Sequence, residues 1–177
     1  MARRSGRVVH VFVLGIDPGL SRCGYGCVEQ RSRRPRPVVA GVITTAPEHP
    51  VPRRLAELQA EVRSLIIEHR PDVVAIERVL FQVNVRTAMG VGQASGIVMA
   101  EAAAAGCDVI EYSPNEIKMA VAGYGGATKD QMERMVQALL EIGQPLRPVD
   151  VADALAVALC HLAQAPTLAA VAGRGRS

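Results

Sequence analysis

Four carboxylates are spaced so that an α/β chain would carry them to one edge of its sheet. Asp17 closes an apolar run and opens the turn in GIDPGLSRCGYG, Glu77 closes the run DVVAIE, and Asp150 and Asp153 stand three apart in DVADALAVALCH. Strand ends in such a sheet converge where ligands bind, and residues three apart share a helix face. Singly, each acid has an ordinary structural role. Asp-Pro-Gly is a turn former, Glu77 can pair with an arginine, and Asp150 and Asp153 suit the cap and first turn of a helix. Together they are an oxygen-only donor set, which hard divalent cations such as Mg²⁺ take, and two ions about 4 Å apart need several carboxylates. Histidine and cysteine are absent from the set, which disfavours zinc. Two ions so held activate a water and stabilise the leaving oxygen of an in-line displacement at phosphorus, the chemistry of phosphodiester hydrolysis. The glycine-rich turn after Asp17 either presents backbone N–H groups or lets a strand of nucleic acid come close.

The elements that must position these acids are legible from periodicity. Residues 8–16, 24–30 and 38–45 read as three strands in an antiparallel meander. Leu55, Leu58, Val62, Leu65 and Ile66 recur at helical spacing until Pro71. Residues 72–77 form a short, covered strand. Residues 84–105 follow as an Ala- and Gly-rich helix with Gly106 as its C-cap. Small residues at Ala88, Gly92, Ser95 and Gly96, with Met99, make this either a tightly packed internal helix or the seam of a homodimer. Residues 107–112 are the fifth strand. Ser113 with Glu116 and Thr128 with Gln131 are capping boxes that open two further helices. A last helix runs over residues 148–164 with Ala152, Leu155, Ala156 and Leu159 as its stripe. The order β-β-β-α-β-α-β-α-α-α implies an α/β fold, three antiparallel strands joined to two parallel ones in a mixed sheet with helices on both faces. We expect a flexible basic N-terminus (1–7), one domain (8–165) and a disordered tail (166–177).

Composition sets the class. At 177 residues, 49% of them hydrophobic, the chain suits one globular domain, and no uncharged apolar run reaches the roughly 18 residues of a membrane span. The arginines of residues 1–7 lead straight into a strand without a small-residue cleavage site, so we expect a soluble, cytoplasmic protein with no signal peptide. Cys23, Cys27, Cys107 and Cys160 are too scattered for a disulfide framework and are read as reduced core or strand residues. The run RSRRPRP (31–37) is a solvated hairpin tip or a phosphate contact.

The segments GIDPGLSRCGYG, AIERVLFQVNVRTAMGVGQASGIV, YSPNEIKMAVAGYGGATKDQM and DVADALAVALCH resemble, in order, the RuvC family of Holliday junction resolvases, from Val11 to about Gln164. The resemblance implies an RNase H-like fold, a homodimer, and Mg²⁺ (two ions per site, with Mn²⁺ able to substitute). The implied activity is paired nicking of a four-way DNA junction in recombination and repair, with RuvA and RuvB branch-migration proteins as partners. It assigns the acidic tetrad to Asp17, Glu77, Asp150 and Asp153; some members carry histidine at the third place, where this chain has Asp150. Two DNA-contacting lysines of the family fall on Lys118 and Lys129, the only lysines in the chain, where a compact charge suits. Where some members place an aromatic wedge three positions after the strand glutamate, this chain has Leu80, with Phe81 next. Either Phe81 stacks on a base, or Phe81 is core and Leu80 is the wedge. Asn84 and Arg86 match positions near the DNA and the dimer seam.

Three other readings compete. Actin-like kinases share an aspartate and glycine turn but need a second related domain, for which 177 residues without a repeat leave no room. A non-catalytic junction-binding protein is opposed by the complete tetrad. An RNase H-like nuclease acting on hybrids or linear duplex would use the same acids and differs in substrate shape.

Overall fold

The computed structural model describes residues 11–31, 34–78 and 85–174, apart from the side chains of 85–87 and 166–174. The elements are β1 (Val11–Asp17), β2 (Arg22–Gln30), β3 (Arg36–Thr44), α1 (Val51–His69), β4 (Val73–Glu77), α2 (Val85–Ala104), β5 (Asp108–Tyr112), α3 (Pro114–Ala122), α4 (Lys129–Leu140) and α5 (Asp150–Arg174). They form one five-stranded sheet in the order β3-β2-β1-β4-β5. β1 is the pivot, antiparallel to β2 and parallel to β4, which is parallel to β5. This is the mixed α/β sheet of the sequence reading.

The two-residue period of the strands splits the core into two layers. Leu14, Ile16, Cys23, Cys27, Val74 and Ile76 point to one face and pack with Leu58, Val62 and Ile66 of α1 and Ala94, Val98 and Ala102 of α2. Val13, Val28 and Ala75 point to the other, against α3, α4 and α5. Asp17 and Glu77 continue this second alternation, so both belong to the α5 face. The register Ile16↔Ile76 between β1 and β4, carried one step further, sets the two acids side by side.

Helix α5 lies directly on β1 and β2 because the strands carry glycine beneath it. A Cβ on Gly15 would stand 2.2 Å from the Ala154 carbonyl oxygen and 2.7 Å from the Ala158 nitrogen; one on Gly24 would stand 2.4 Å from the Asp150 carbonyl oxygen. At Gly26 it would meet Leu155 Cδ2 at 2.7 Å. Gly24 and Gly26, which follow the glycine-rich turn expected to present N–H groups or admit nucleic acid, form with Gly15 the floor on which α5 rests. Covered by the sheet below and by α3 and α4 above, α5 is buried nearly all round from Val151 to Leu162, wider than the four-residue stripe expected.

The helix also continues through Pro166 to Arg174, a correction to the tail expected to be disordered from 166. The alanine-rich sequence there favours helix enough to outweigh one lost backbone donor. Residues 1–7 lie outside the described residues, and the first strand is described from Val11. Both predicted capping boxes form, at Ser113–Glu116 and Thr128–Gln131.

The small-residue stripe of α2 divides. Ala94 and Ser95 face inward, 0% and 2% exposed, while Met89 is 60% exposed and nothing lies within 4 Å of a Cβ added at Gly92 or Gly96. α1 and α2 are fastened by Glu101, buried, whose carboxylate accepts from Gln59 and from Nε and Nη2 of Arg63 at 2.6–2.9 Å. A second tie fixes the turn after Asp17. Arg54, buried, donates to Thr45 Oγ1 and Ser21 Oγ, and Thr45 Oγ1 donates to the Leu20 carbonyl. The cysteines are free, with Cys23, Cys27 and Cys160 buried. In the basic loop, Arg31 pairs with Glu29 and Arg34 with Glu141.

Two outcomes test this packing. Gly15→Ala forces a methyl onto helix backbone and should lower stability by roughly 3 kcal/mol in urea unfolding, whereas Gly92→Ala, in open space within a helix, should not. The Arg63 guanidinium and the Gln59 amide hold the Glu101 carboxyl down at about 2 from its ordinary 4.5. Its contribution is therefore complete above about pH 4.5 and lost as pH falls towards 2. Glu101→Gln should lower the melting temperature at pH 7 and flatten that part of the acid limb.

Candidate active site

Three elements deliver acids to one cleft of about 220 Å³: Asp17 from the end of β1, Glu77 from the end of β4, and Asp153 from the first turn of α5. β1 and β4 are parallel, so their C-terminal ends share an edge, and the glycine floor lets the first turn of α5 descend to the same level. Lys118 of α3 and Lys129, the first residue of α4, line the same cleft, with Pro114, Ile117, Met132 and Ala156 as its apolar wall. The two capping boxes fix where α3 and α4 begin, and hence where the lysines stand.

Asp150 is held at the rim instead. Its two carboxylate oxygens are forked by Arg22, with Nη2 at 2.6 Å from Oδ2 and Nε at 3.2 Å from each oxygen. Arg22 opens β2 on the same strand face as Gly24, the residue under the Asp150 backbone. It lies inside the first motif and was not singled out from sequence. The only available signal was its position two residues before a glycine, in a strand antiparallel to the one that ends in Asp17.

The electrostatics reflect crowding of like charges. Burial, then the charges of Glu77, Asp153 and Asp150, push the Asp17 carboxyl up to about 7. Burial and Asp153 push Glu77 upward, partly offset by Lys129 and Lys118. The hydrogen bonds from Arg22 draw Asp150 downward. Lys129 Nζ lies 3.1 Å from Asp153 Oδ2, and that carboxylate holds the ammonium above its ordinary value. Among the described residues no three of His, Cys, Asp and Glu close into a ready-made cage for a metal ion. The donor chemistry nevertheless fits a hard divalent cation: oxygen ligands only, two of them half-buried against their own repulsion, with cationic side chains drawn to the others.

Leu80, Phe81 and Asn84 lie outside the described residues, so the choice of wedge is not addressed by the fold. Arg86 falls in the first turn of α2, its side chain likewise outside them.

The sheet order, the crossover helices and the acids at the strand ends define an RNase H-like nuclease fold. A family model described as crossover junction endodeoxyribonuclease RuvC matches residues 13–161, and the chain belongs to that family. A crossover junction endodeoxyribonuclease RuvC from Salinispora arenicola is 51% identical over 168 residues, covering 93% of this chain and 96% of that protein. The RuvC of Moorella thermoacetica is 48% identical over 156 residues, 88% of this chain and 93% of that protein. Among solved structures, Thermus thermophilus RuvC in complex with Holliday junction substrate superimposes with a TM-score of 0.85 at 36% identity, covering 89% of this chain and 96% of that one. Membership carries a general dependence on divalent metal. Among the described residues no helix is long and apolar enough to cross a membrane.

The crowding has a measurable cost. Because the folded-state Asp17 carboxyl sits near 7, above its ordinary 3.8, the unfolded chain ionises first as pH rises between the two values, and stability falls across that window. Asp17→Asn removes the penalty. We expect it to stabilise the metal-free protein at pH 8 by on the order of 2 kcal/mol, read by denaturant unfolding in EDTA.

Proposed function

We propose that the chain is a structure-specific endodeoxyribonuclease that resolves four-way (Holliday) DNA junctions by symmetric paired nicks, serving homologous recombination and DNA repair in the cytoplasm. The observation that carries this reading is the convergence of Asp17, Glu77, Asp153, Lys118 and Lys129 on one cleft in a chain of the RuvC family. Mg²⁺, two ions per site with Mn²⁺ able to substitute, would be held by Asp17, Glu77, Asp150 and Asp153 and would supply an activated water and charge at the leaving oxygen.

The chain's own groups do the rest. Lys118 and Lys129 bind non-bridging phosphate oxygens, each as a compact three-donor charge, and thereby align the scissile phosphate against the acids. Lys129 also holds the Asp153 carboxylate, so its ammonium links the phosphate to the acidic cluster. The Pro114, Ile117 and Met132 wall limits water around the reacting phosphate. Leu80 or Phe81 wedges or stacks on junction bases, and Asn84 and Arg86 contact DNA. The junction requires two sites, and a homodimer supplies them through the exposed face of α2 at Met89, Gly92 and Gly96. RuvA and RuvB are the partners that this assignment brings with it.

The deciding assay is nicking of a synthetic mobile four-way junction with and without Mg²⁺. We expect paired, Mg²⁺-dependent cuts. Amide replacement of each acid (Asp17→Asn, Glu77→Gln, Asp150→Asn, Asp153→Asn) should reduce cleavage by about 100-fold or more while junction binding persists in gel shifts. Normal cleavage by Glu77→Gln would sink the metal assignment. A monomer that cuts linear hybrids as readily as junctions would make the protein a general RNase H-like nuclease. Lys118→Ala and Lys129→Ala should weaken cleavage far more than overall affinity, which is spread over many arginines.

A further inference from the structure

One contact at the site has no part in the mechanism above. Arg22 engages both oxygens of Asp150 through two nitrogens, Nη2 at 2.6 Å from Oδ2 and Nε at 3.2 Å from each oxygen. Lys129 meets only one oxygen of Asp153, at 3.1 Å. A planar guanidinium gripping both oxygens fixes the orientation of a carboxylate; a single ammonium contact does not. The result is visible in the cleft, which Asp17, Glu77 and Asp153 line and Asp150 does not.

The Asp150 backbone cannot move toward the sheet to compensate. A Cβ on Gly24 would lie 2.4 Å from the Asp150 carbonyl oxygen and 3.2 Å from its Cβ, so this residue already rests on the strand with no space beneath it. Gly24 is the partner of Asp17 in the β1–β2 register, which keeps Asp150 near enough for its charge to act on Asp17. Side-chain rotation is the freedom that remains, and Arg22 controls it. The pair lies at the rim, the Arg22 side chain 49% exposed and that of Asp150 16%, so solvent can replace the guanidinium at modest cost when a stronger partner arrives.

We propose that Arg22 is a positioning residue that holds the Asp150 carboxylate turned away from the cleft until a divalent cation takes it. The fourth acid is thereby withheld from the cation-free site and added on loading. Arg22 sets the cation concentration at which the site completes, without itself touching the reacting atoms. This inference rests on the cation reading of the four acids.

The test is Mn²⁺ uptake by the DNA-free full-length protein, followed by the loss of free-ion EPR signal, in wild type, R22Q, R22K, D150N and the R22K/D150N pair, with circular dichroism to verify folding. R22Q should tighten uptake by about three- to tenfold. R22K, which keeps the charge and loses the fork, should tighten it by at least about twofold, and that gain should vanish in the D150N background. Tightening by R22Q alone, with R22K equal to wild type, would make the effect one of net charge and overturn the positioning role, as would a gain that survives D150N. Uptake that D150N weakens but both Arg22 substitutions leave unchanged would overturn this inference and leave the cation reading standing. No uptake by any of these proteins would overturn both.

Discussion

Helix α5 can approach β1 and β2 only because Gly15, Gly24 and Gly26 leave nothing between the helix backbone and the sheet. With any side chain on Gly15 or Gly24 the helix would ride higher, and its first turn would lift away from the strand end that carries Asp17. Two of the four acids sit on that first turn. The same contact makes α5 a shared wall: the sheet covers one side of it and α3 and α4 cover the other. The starts of α3 and α4, with Lys118 and Lys129, are therefore registered against the acids through one buried helix. Packing that looks like ordinary core construction sets the geometry of the cleft.

That geometry gathers charge that the fold alone would disfavour. Asp17 and Glu77 are half-buried beside one another, and nearby carboxylates add to the penalty. The cationic side chains relieve it unequally: Lys129 binds Asp153 inside the cleft, whereas Arg22 draws Asp150 to the rim. An arrangement that is unfavourable when empty and improves on gaining positive charge is the expected signature of a cation-dependent site. The stabilising ties lie elsewhere, in the Glu101–Arg63–Gln59 cluster on the far face and in Arg54, which pins the turn after Asp17 through Thr45 and Ser21.

Much of this was legible in the sequence. The mixture of three antiparallel and two parallel strands followed from turn chemistry and crossover rules, the two helix starts followed from capping boxes, and the edge location of Asp17 and Glu77 followed from their places at the ends of apolar runs. These are local signals, and each needs only a few neighbouring residues to be read. What escaped was contact between distant segments. Gly24 and Gly26 look the same whether they admit a nucleic-acid strand or a helix that arrives more than 120 residues later. The fork from Arg22 to Asp150 spans 128 positions, and no local pattern announces it. The extent of α5 was misjudged for a related reason. Pro166 is a strong local stop signal, yet the alanine-rich chain beyond it carries the helix on to Arg174.

The division of the sheet into two faces separates the tasks of the molecule. The α5 face holds the acidic cleft; the α1 and α2 face holds Cys23 and Cys27, whose thiols burial pushes up to about 12, which suits inert packing and not reactivity. Yet α2 begins only eight residues after Glu77, so its exposed glycines and Met89 are tethered by a short segment to the end of the strand that carries an acid. A copy of the chain docked along that face would fix the distance between two clefts through a rigid helix and a short link. Paired nicking of a four-way junction demands such a fixed separation, because each cut must fall on its own strand. The small residues of α2 would then have two uses set by one periodicity: Ala94 and Ser95 pack on the inner side, and Gly92 and Gly96, with open space beyond them, would leave the outer side flat enough for a second helix to approach.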